Sequence, residues 1–189
     1  MADSIITKRA IADALKELTL TKSFDKISVK DITEKCGINR QTFYYHFVDK
    51  FNLLEWIYIN DLLEQHMMDV NFDNWPERLE ALLSAMQSDK VFYINTIKHT
   101  ENYIQEYMIS QAQTIFEDAI NTIDEKSHVD QEQRNFIARF FAYGVCGMVI
   151  EWAMKNMESS PAYISENMKM LKDKCEQAAY EHIIEIKST

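Results

Sequence analysis

Glycine and proline are nearly missing from this chain, which holds three Gly and two Pro in 189 residues. Glycine-rich phosphate loops and folds built on tight hairpins both need those residues repeatedly, so most nucleotide-binding folds fall away and a helical protein is favoured. Cysteine is scarce as well. Cys36, Cys146 and Cys175 lie far apart and none sits in a C-x-x-C pair, so neither a disulfide framework nor a zinc site is expected, and small buried side chains are. No stretch reads as approaching the length of a membrane span. The opening residues, MADSIITKRAIADALKEL, alternate charged and apolar groups without the apolar core of a signal peptide. A cytoplasmic protein with no membrane partner is expected.

Catalytic signatures are also lacking. The chain has no P-loop, no Gly-x-Ser-x-Gly elbow and no H-E-x-x-H. His46, His66, His99, His128 and His182 are scattered, and Glu125 with His128 makes a single Glu-x-x-His pair where a helical di-metal site wants two. That pair lies in a run rich in Asp, Glu and Ser, which reads as solvated surface. Glu117-Asp118 and Asp124-Glu125 read as exposed helix ends. No catalytic residue, metal or cofactor is expected.

What the chain does have is enough apolar material for a proper core: 47 % hydrophobic and 26 % charged residues. Its formal charge of −10 is uneven. Residues 1–50 hold nine Lys/Arg against seven Asp/Glu, a net of +2, so the remainder carries −12. A small anion-touching head on an acidic body fits that asymmetry, although a solvated face would give two positive charges too.

Ile5, Ile6, Ala10, Ile11, Ala14, Leu15 and Leu18 recur at helical spacing. After the break TLTKSFDKI, Ser28 with Asp31 reads as the capping box of a second helix whose inner face is Val29, Ile32, Thr33 and Cys36. Gly37 falls where a helix ends in a left-handed residue, and Asn39 can cap a third helix from about Arg40 to Phe47. Two short helices joined by a Gly-containing turn describe a helix-turn-helix, whose second helix enters the DNA major groove. That explains why barely two turns, CGINRQTFYYHFVDK, carry so many polar groups. Arg40 suits guanine O6 and N7, Gln41 suits adenine N6 and N7, and Thr42 and Tyr45 can reach phosphates or a thymine methyl. Phe43 and Phe47, four apart, are expected to face inward, with Tyr44 shared between the two roles. An aromatic core stripe is the competing reading of YYHF, but four consecutive bulky residues cannot share one side of a 3.6-residue turn.

At this point SVKDITEKCGINRQTFYYHFVDKFNLL resembles the DNA-binding segment of the TetR family of bacterial regulators, through Ser28, Gly37, Tyr44, Phe47, Lys50 and Leu53 in that order. The resemblance covers roughly residues 5–55. It implies phosphate contacts from Ser28, Thr42, Tyr44 and Lys50, and groove contacts from Lys30, Arg40, Gln41, Tyr45 and His46. Asn39 stands where Ser is common in the family, and Arg40-Gln41 where small residues are frequent. The chain also looks like the branch that regulates dihydroxyacetone kinase operons, in which a kinase-subunit-like protein can carry the signal.

From Lys50 a longer helix is expected to reach about Met68, and Asn74 with Glu77 reads as the next capping pair. Further helices are expected in residues 91–99, 101–123, from Asp130 to about Lys155 and from Pro161 to about Ile186, with Ser160-Pro161 as N-cap and first helical position. The apolar residues of the Asp130 helix cover more than one stripe, and Gly144 and Gly147 would let another helix come close. Two readings stand: the central helix of a monomer core, or a dimer interface built on Phe140, Tyr143, Gly144, Gly147 and Met148. Reading a palindromic site as a homodimer gives the second a purpose. Phe92, Tyr93, Tyr103, Tyr107, Met108, Phe116 and Phe141 read either as core or as the lining of an apolar effector pocket.

The expected architecture is therefore all-α. Residues 1–50 form a three-helix helix-turn-helix DNA-binding domain, and residues 51–189 form a helical effector-binding and dimerisation domain. The expected partners are double-stranded DNA, a second copy of the chain, and a small-molecule effector or coregulator protein. The alternative function is a protein-interaction module whose body docks a kinase-subunit-like coregulator.

Overall fold

Local capping chemistry sets where the helices begin, and the computed structural model, which describes residues 2–71, 73–123 and 130–187 with side chains over 4–71, 73–121 and 130–174, shows it directly. Helix α1 spans Ala2–Thr19, followed by a 3₁₀ turn at Phe24–Lys26, α2 at Val29–Cys36 and α3 at Arg40–His46. Then come α4 (Lys50–Tyr58), a π-helical stretch (Ile59–Leu63) and α5 (Glu64–His66). Helices α6 (Trp75–Ser88), α7 (Lys90–Lys98), α8 (Tyr103–Ile123), α9 (Gln131–Met154) and α10 (Pro161–Lys187) complete the body. The fold is all-α, with no strand among the described residues.

Ser28 Oγ accepts from the Asp31 amide at 3.2 Å while the Asp31 carboxylate accepts from the Ser28 amide at 2.7 Å, the reciprocal box expected from the sequence. Asp130 caps α9 through the Gln133 amide at 2.8 Å, and Ser160 caps α10 through the Tyr163 amide at 3.2 Å. The Asn74–Glu77 pair is a correction. Asn71 Oδ1 accepts from the Asp73 and Asn74 amides at 2.9 and 3.1 Å, and Asn74 Oδ1 accepts from the Asn71 amide at 2.8 Å, so the box sits three residues earlier than expected.

The long helix after Lys50 also differs from the expectation. Its α-helical turn gives way at Ile59, where the Glu64 amide reaches back five residues to the Ile59 carbonyl. Asn60 Nδ2 donates to the Trp56 carbonyl at 2.9 Å and Gln65 Nε2 to the Asn60 carbonyl at 3.0 Å, so side chains supply donors to the carbonyls around the wider turn. Asp61, inside that stretch, faces α1 and meets Arg9 and, at 2.7 Å, Lys16.

The core is continuous from Ile11, Leu15, Phe24, Ile32, Phe43 and Leu53 through Ile57 and Leu83 to Phe92 and Ile97. Each such side chain contributes about 1.5–3 kcal/mol by burial. Burial of α1 starts at Ile11; Ile5 and Ile6, expected in the same stripe, are exposed. Helix α10 runs antiparallel to α6, since Ser165 Oγ donates to Glu80 at 3.0 Å and Lys169 meets Glu77 at 3.1 Å. Helix α9 packs along α8 with the narrow face Ala138, Ala142, Cys146 and Val149. Burial pushes the Cys146 thiol up to about 12, as expected of an inert core cysteine. With 24 residues, α9 is by length and composition also long and apolar enough to cross a membrane, which corrects the reading that no stretch approaches such a span.

Candidate nucleic-acid interface

Helix α2 ends in a Schellman turn. Gly37 sits at φ +73°, its amide bonds to the Glu34 carbonyl and the Ile38 amide reaches Thr33 O at 3.0 Å. The left-handed residue breaks the helix within one position, and Asn39 restarts it: its Oδ1 accepts from the Thr42 amide at 2.8 Å and the Thr42 hydroxyl at 3.1 Å. Helix α3 is thereby set at an angle to α2.

Phe43 and Phe47 anchor α3. Both are buried, with ring centroids 5.9 Å apart. With that side fixed, helical periodicity distributes the remaining residues into three i, i+4 pairs. Gln41 and Tyr45 lie opposite Phe43, and Tyr45 is 82 % exposed. Arg40 and Tyr44 form one flank, the guanidinium donating to the Tyr44 hydroxyl at 3.4 Å. Thr42 and His46 form the other, and His46 meets the Tyr45 ring edge-on at 4.9 Å. All six expected side chains therefore stand on one short outward surface, at least partly exposed.

Ser28 is exposed at the start of α2, where its hydroxyl is engaged with Asp31. The Ser28 hydroxyl, Lys22 and the Ser28 amide together hold the Asp31 carboxyl well below the usual range. Lys30 reaches solvent with only Glu34 beside it at 3.6 Å, an exposed pair worth little and easily exchanged for another anion.

Lys50, expected at a phosphate, stands apart from the other expected contact residues. Its ammonium turns inward, donating to the carbonyls of Phe24 at 2.8 Å, Asp25 at 3.1 Å and Ile27 at 2.8 Å, and lies 4.6 Å from the centre of the Phe24 ring. All three donors are spent on the head's own backbone, so a phosphate contact would have to displace one of them. Burial lowers its pKa, with Asp25 opposing that effect. The partners lie 23 to 26 residues away and are backbone atoms, so no sequence pattern announces them.

The proposed interface residues of α9 stand clear of the chain's own core. Phe140 is 67 %, Tyr143 58 % and Met148 50 % exposed, and a Cβ added at Gly144 or Gly147 would meet nothing within 4 Å. Among the described residues, no helix of the same protomer comes close to either glycine. Among the candidates for an apolar pocket, Phe92 and Tyr93 are packed solid, and Phe116 lies against Phe141, with Trp75 meeting the Phe116 ring edge-on. Two open concavities of about 310 Å³ lie elsewhere. One, between α8 and α9, is edged by Glu106, Ile109, Glu117, Arg139 and Tyr143, the last also an expected dimer residue; the other, on α7, by Lys90, Ile94, Asn95 and Lys98. Glu125 and His128 lie outside the described residues, and among the described residues no cluster of metal-ligating side chains occurs.

A capped helix, a left-handed glycine turn and a second helix with one buried and one polar face, mounted on an all-α body, define a helix-turn-helix protein. Residues 11–57 match the family described as bacterial regulatory proteins, tetR family, and residues 73–174 match the transcriptional regulator C-terminal region. The chain belongs to the TetR family of transcriptional regulators. It is 31 % identical over 153 residues to the HTH-type dhaKLM operon transcriptional activator DhaS of Lactococcus lactis subsp. lactis (strain IL1403), covering 80 % of this chain and 81 % of that one. Among solved structures, it superposes on a dihydroxyacetone kinase operon activator DhaS with a TM-score of 0.68 at 27 % identity, covering 89 % of this chain and 94 % of the other. The fatty acid degradation regulator FadR from Bacillus halodurans, at 15 % identity with a TM-score of 0.56 over 88 % of this chain and 94 % of its own, shares the fold. These relatives are regulators, not enzymes.

Proposed function

We propose that this protein is a cytoplasmic regulator that binds a palindromic operator as a homodimer, with residues 1–50 as the reading head and residues 51–189 as the regulatory and dimerisation body. The observation that carries the reading is the division of α3: Phe43 and Phe47 are locked into the core while Arg40, Gln41, Tyr44 and Tyr45 are presented to solvent. Gln41, Tyr45 and His46 face the groove, Arg40 reaches a base edge from one flank, and Thr42 and Tyr44 meet the adjoining backbone. Ser28 and Lys30 add contacts at the start of α2. Lys50 supports the head from within.

The outward face of α9, with Phe140, Tyr143, Gly144, Gly147 and Met148, joins two copies around a two-fold axis. Its mixture of exposed aromatics and glycines favours a protein surface over lipid, because the opposite face is already packed on α8. By likeness to DhaS, the controlled genes are those of dihydroxyacetone phosphorylation. An effector or a coregulator protein acts on the body. The open form of both concavities, together with the solid packing of Phe92 and Tyr93, favours a docked protein over an enclosed small molecule.

Selection of a random duplex library on the purified protein, followed by sequencing and salt titration, tests the reading. An enriched inverted repeat with a steep salt dependence is expected. Enrichment of no sequence, with or without added cell extract, contradicts it.

A further inference from the structure

One body side chain holds three backbone groups of the head. Asn95, in the middle of α7, accepts from the Phe24 amide at 2.8 Å and donates to the carbonyls of Thr19 at 2.8 Å and Lys22 at 3.0 Å. Those groups end α1 and begin the 3₁₀ turn, where neither helix supplies a partner. Lys50 grips the following stretch, residues 24–27, from the head side. The segment between α1 and α2 is therefore clamped between the body and the reading unit.

A second link runs in parallel. Lys16 bridges Asp61 and Asp89, each at 2.7 Å, tying α1 both to the π-helical stretch and to the start of α7. Burial alone would depress the Lys16 ammonium, yet the two carboxylates outweigh it and hold its pKa above the ordinary value. Helix α7 in turn packs on α9, which carries the proposed dimer face. The path from one recognition helix to the two-fold axis thus passes through α1, Asn95, α7 and α9.

We infer that Asn95 is a positioning residue for DNA binding: by fixing the head on the body, it sets the separation of the two recognition helices and therefore the half-site spacing that the dimer accepts. This rests on the dimeric operator reading above. Asn95 touches no base in that arrangement. One base pair of added spacing moves a half-site about 3.4 Å along the duplex and turns it by roughly a tenth of a turn, which only a head free to tilt can follow.

The test uses the full-length protein and duplexes carrying its selected half-sites at the selected spacing and at one base pair more or less. Wild type is expected to prefer the selected spacing by about tenfold or more, and Asn95→Ala, which loses all three bonds, to keep a preference of roughly threefold or less. Asn95→Asp retains the acceptor for the Phe24 amide and is expected to fall between. Discrimination against base changes inside a half-site should stay as in wild type for both variants. An unchanged spacing preference in both overturns the inference, as does a parallel loss of base discrimination, which would mark general damage to the fold. A wild type indifferent to spacing overturns the dimeric reading itself and takes this inference with it.

Discussion

Helices α3 and α9 each bury one face and leave the other in solvent, and the two open faces are made of different chemistry. The α3 face offers guanidinium, amide, phenol and imidazole groups on seven residues, over a buried Phe43. The α9 face offers Phe136, Phe140, Tyr143, Met148 and two uncrowded glycines over a buried row that includes Ala138, Ala142 and Cys146. Hydrogen-bonding groups held out on a rigid helix retain their value against a polar, charged partner, because such a partner repays their desolvation. Apolar groups held out in the same way remain costly until another apolar surface covers them. The contrast is the one the two proposed roles require, a polar face toward nucleic acid and an apolar face toward a second protein surface.

The largest expected effect comes from breaking the apolar side of that contrast. Phe140→Glu places a carboxylate at both ends of a symmetric contact and should weaken self-association by at least about a hundredfold, roughly 2.7 kcal/mol, as read by sedimentation equilibrium. Thermal stability of the monomer should hardly change, since Phe140 is exposed within the chain. Within the head, Lys50→Met should cost about 2–3 kcal/mol of stability in denaturant unfolding by removing the ammonium donor from the carbonyls of Phe24, Asp25 and Ile27. Binding of the folded fraction should keep the salt slope of wild type, which separates Lys50 from a phosphate ligand. Arg40→Ala should cost about 1–3 kcal/mol on the selected site and relax preference at one base pair, measured by competition between duplexes. Tyr44→Phe, by contrast, which removes an expected phosphate contact, should weaken all duplexes alike.

The smallest effect concerns the start of α2. Asp31→Asn should cost about 1 kcal/mol at neutral pH through the weakened capping box. The Asp31 carboxyl is depressed in the folded chain, so its contribution is present above the unfolded carboxylate value, about 3.9, and disappears as pH falls below it. Denaturation curves taken at successively lower pH should therefore begin to converge for wild type and variant below about pH 4, the gap closing only as pH falls through the depressed folded-state value.

Much of the head was legible because its signals are local. Ser28 with Asp31, Gly37, Asn39 and the Phe43–Phe47 spacing each act within three or four residues, and each sits as the sequence implies. The outward set of α3 followed from periodicity alone once the inward pair was known. Contacts across the fold were not legible. The inward bonds of Lys50 escaped because a lysine beside a recognition helix carries no mark of the carbonyls that fold back onto it. Asn95 gave no signal within VFYINTIKH, since its three partners are backbone groups more than 70 residues earlier. The π-helical turn at Ile59–Leu63 escaped because its apolar spacing imitates an ordinary helix, and the carbonyls around it are served by Asn60 and Gln65 rather than by a breaker residue. Asn74 stands at the N-cap of α6 as expected, but its side chain pairs with Asn71 and does not close a box with Glu77. For α9, the doubled apolar stripe was visible in sequence, and only packing separated the face turned to α8 from the face left open.

The measurement that bears most directly on the division of labour between α3 and α9 is a side-by-side duplex selection with wild type and Phe140→Glu at matched concentrations. Wild type should enrich an inverted repeat, and the variant a single half-site with the same base preferences. The same inverted repeat from both proteins, or different base preferences from the variant, would contradict the account.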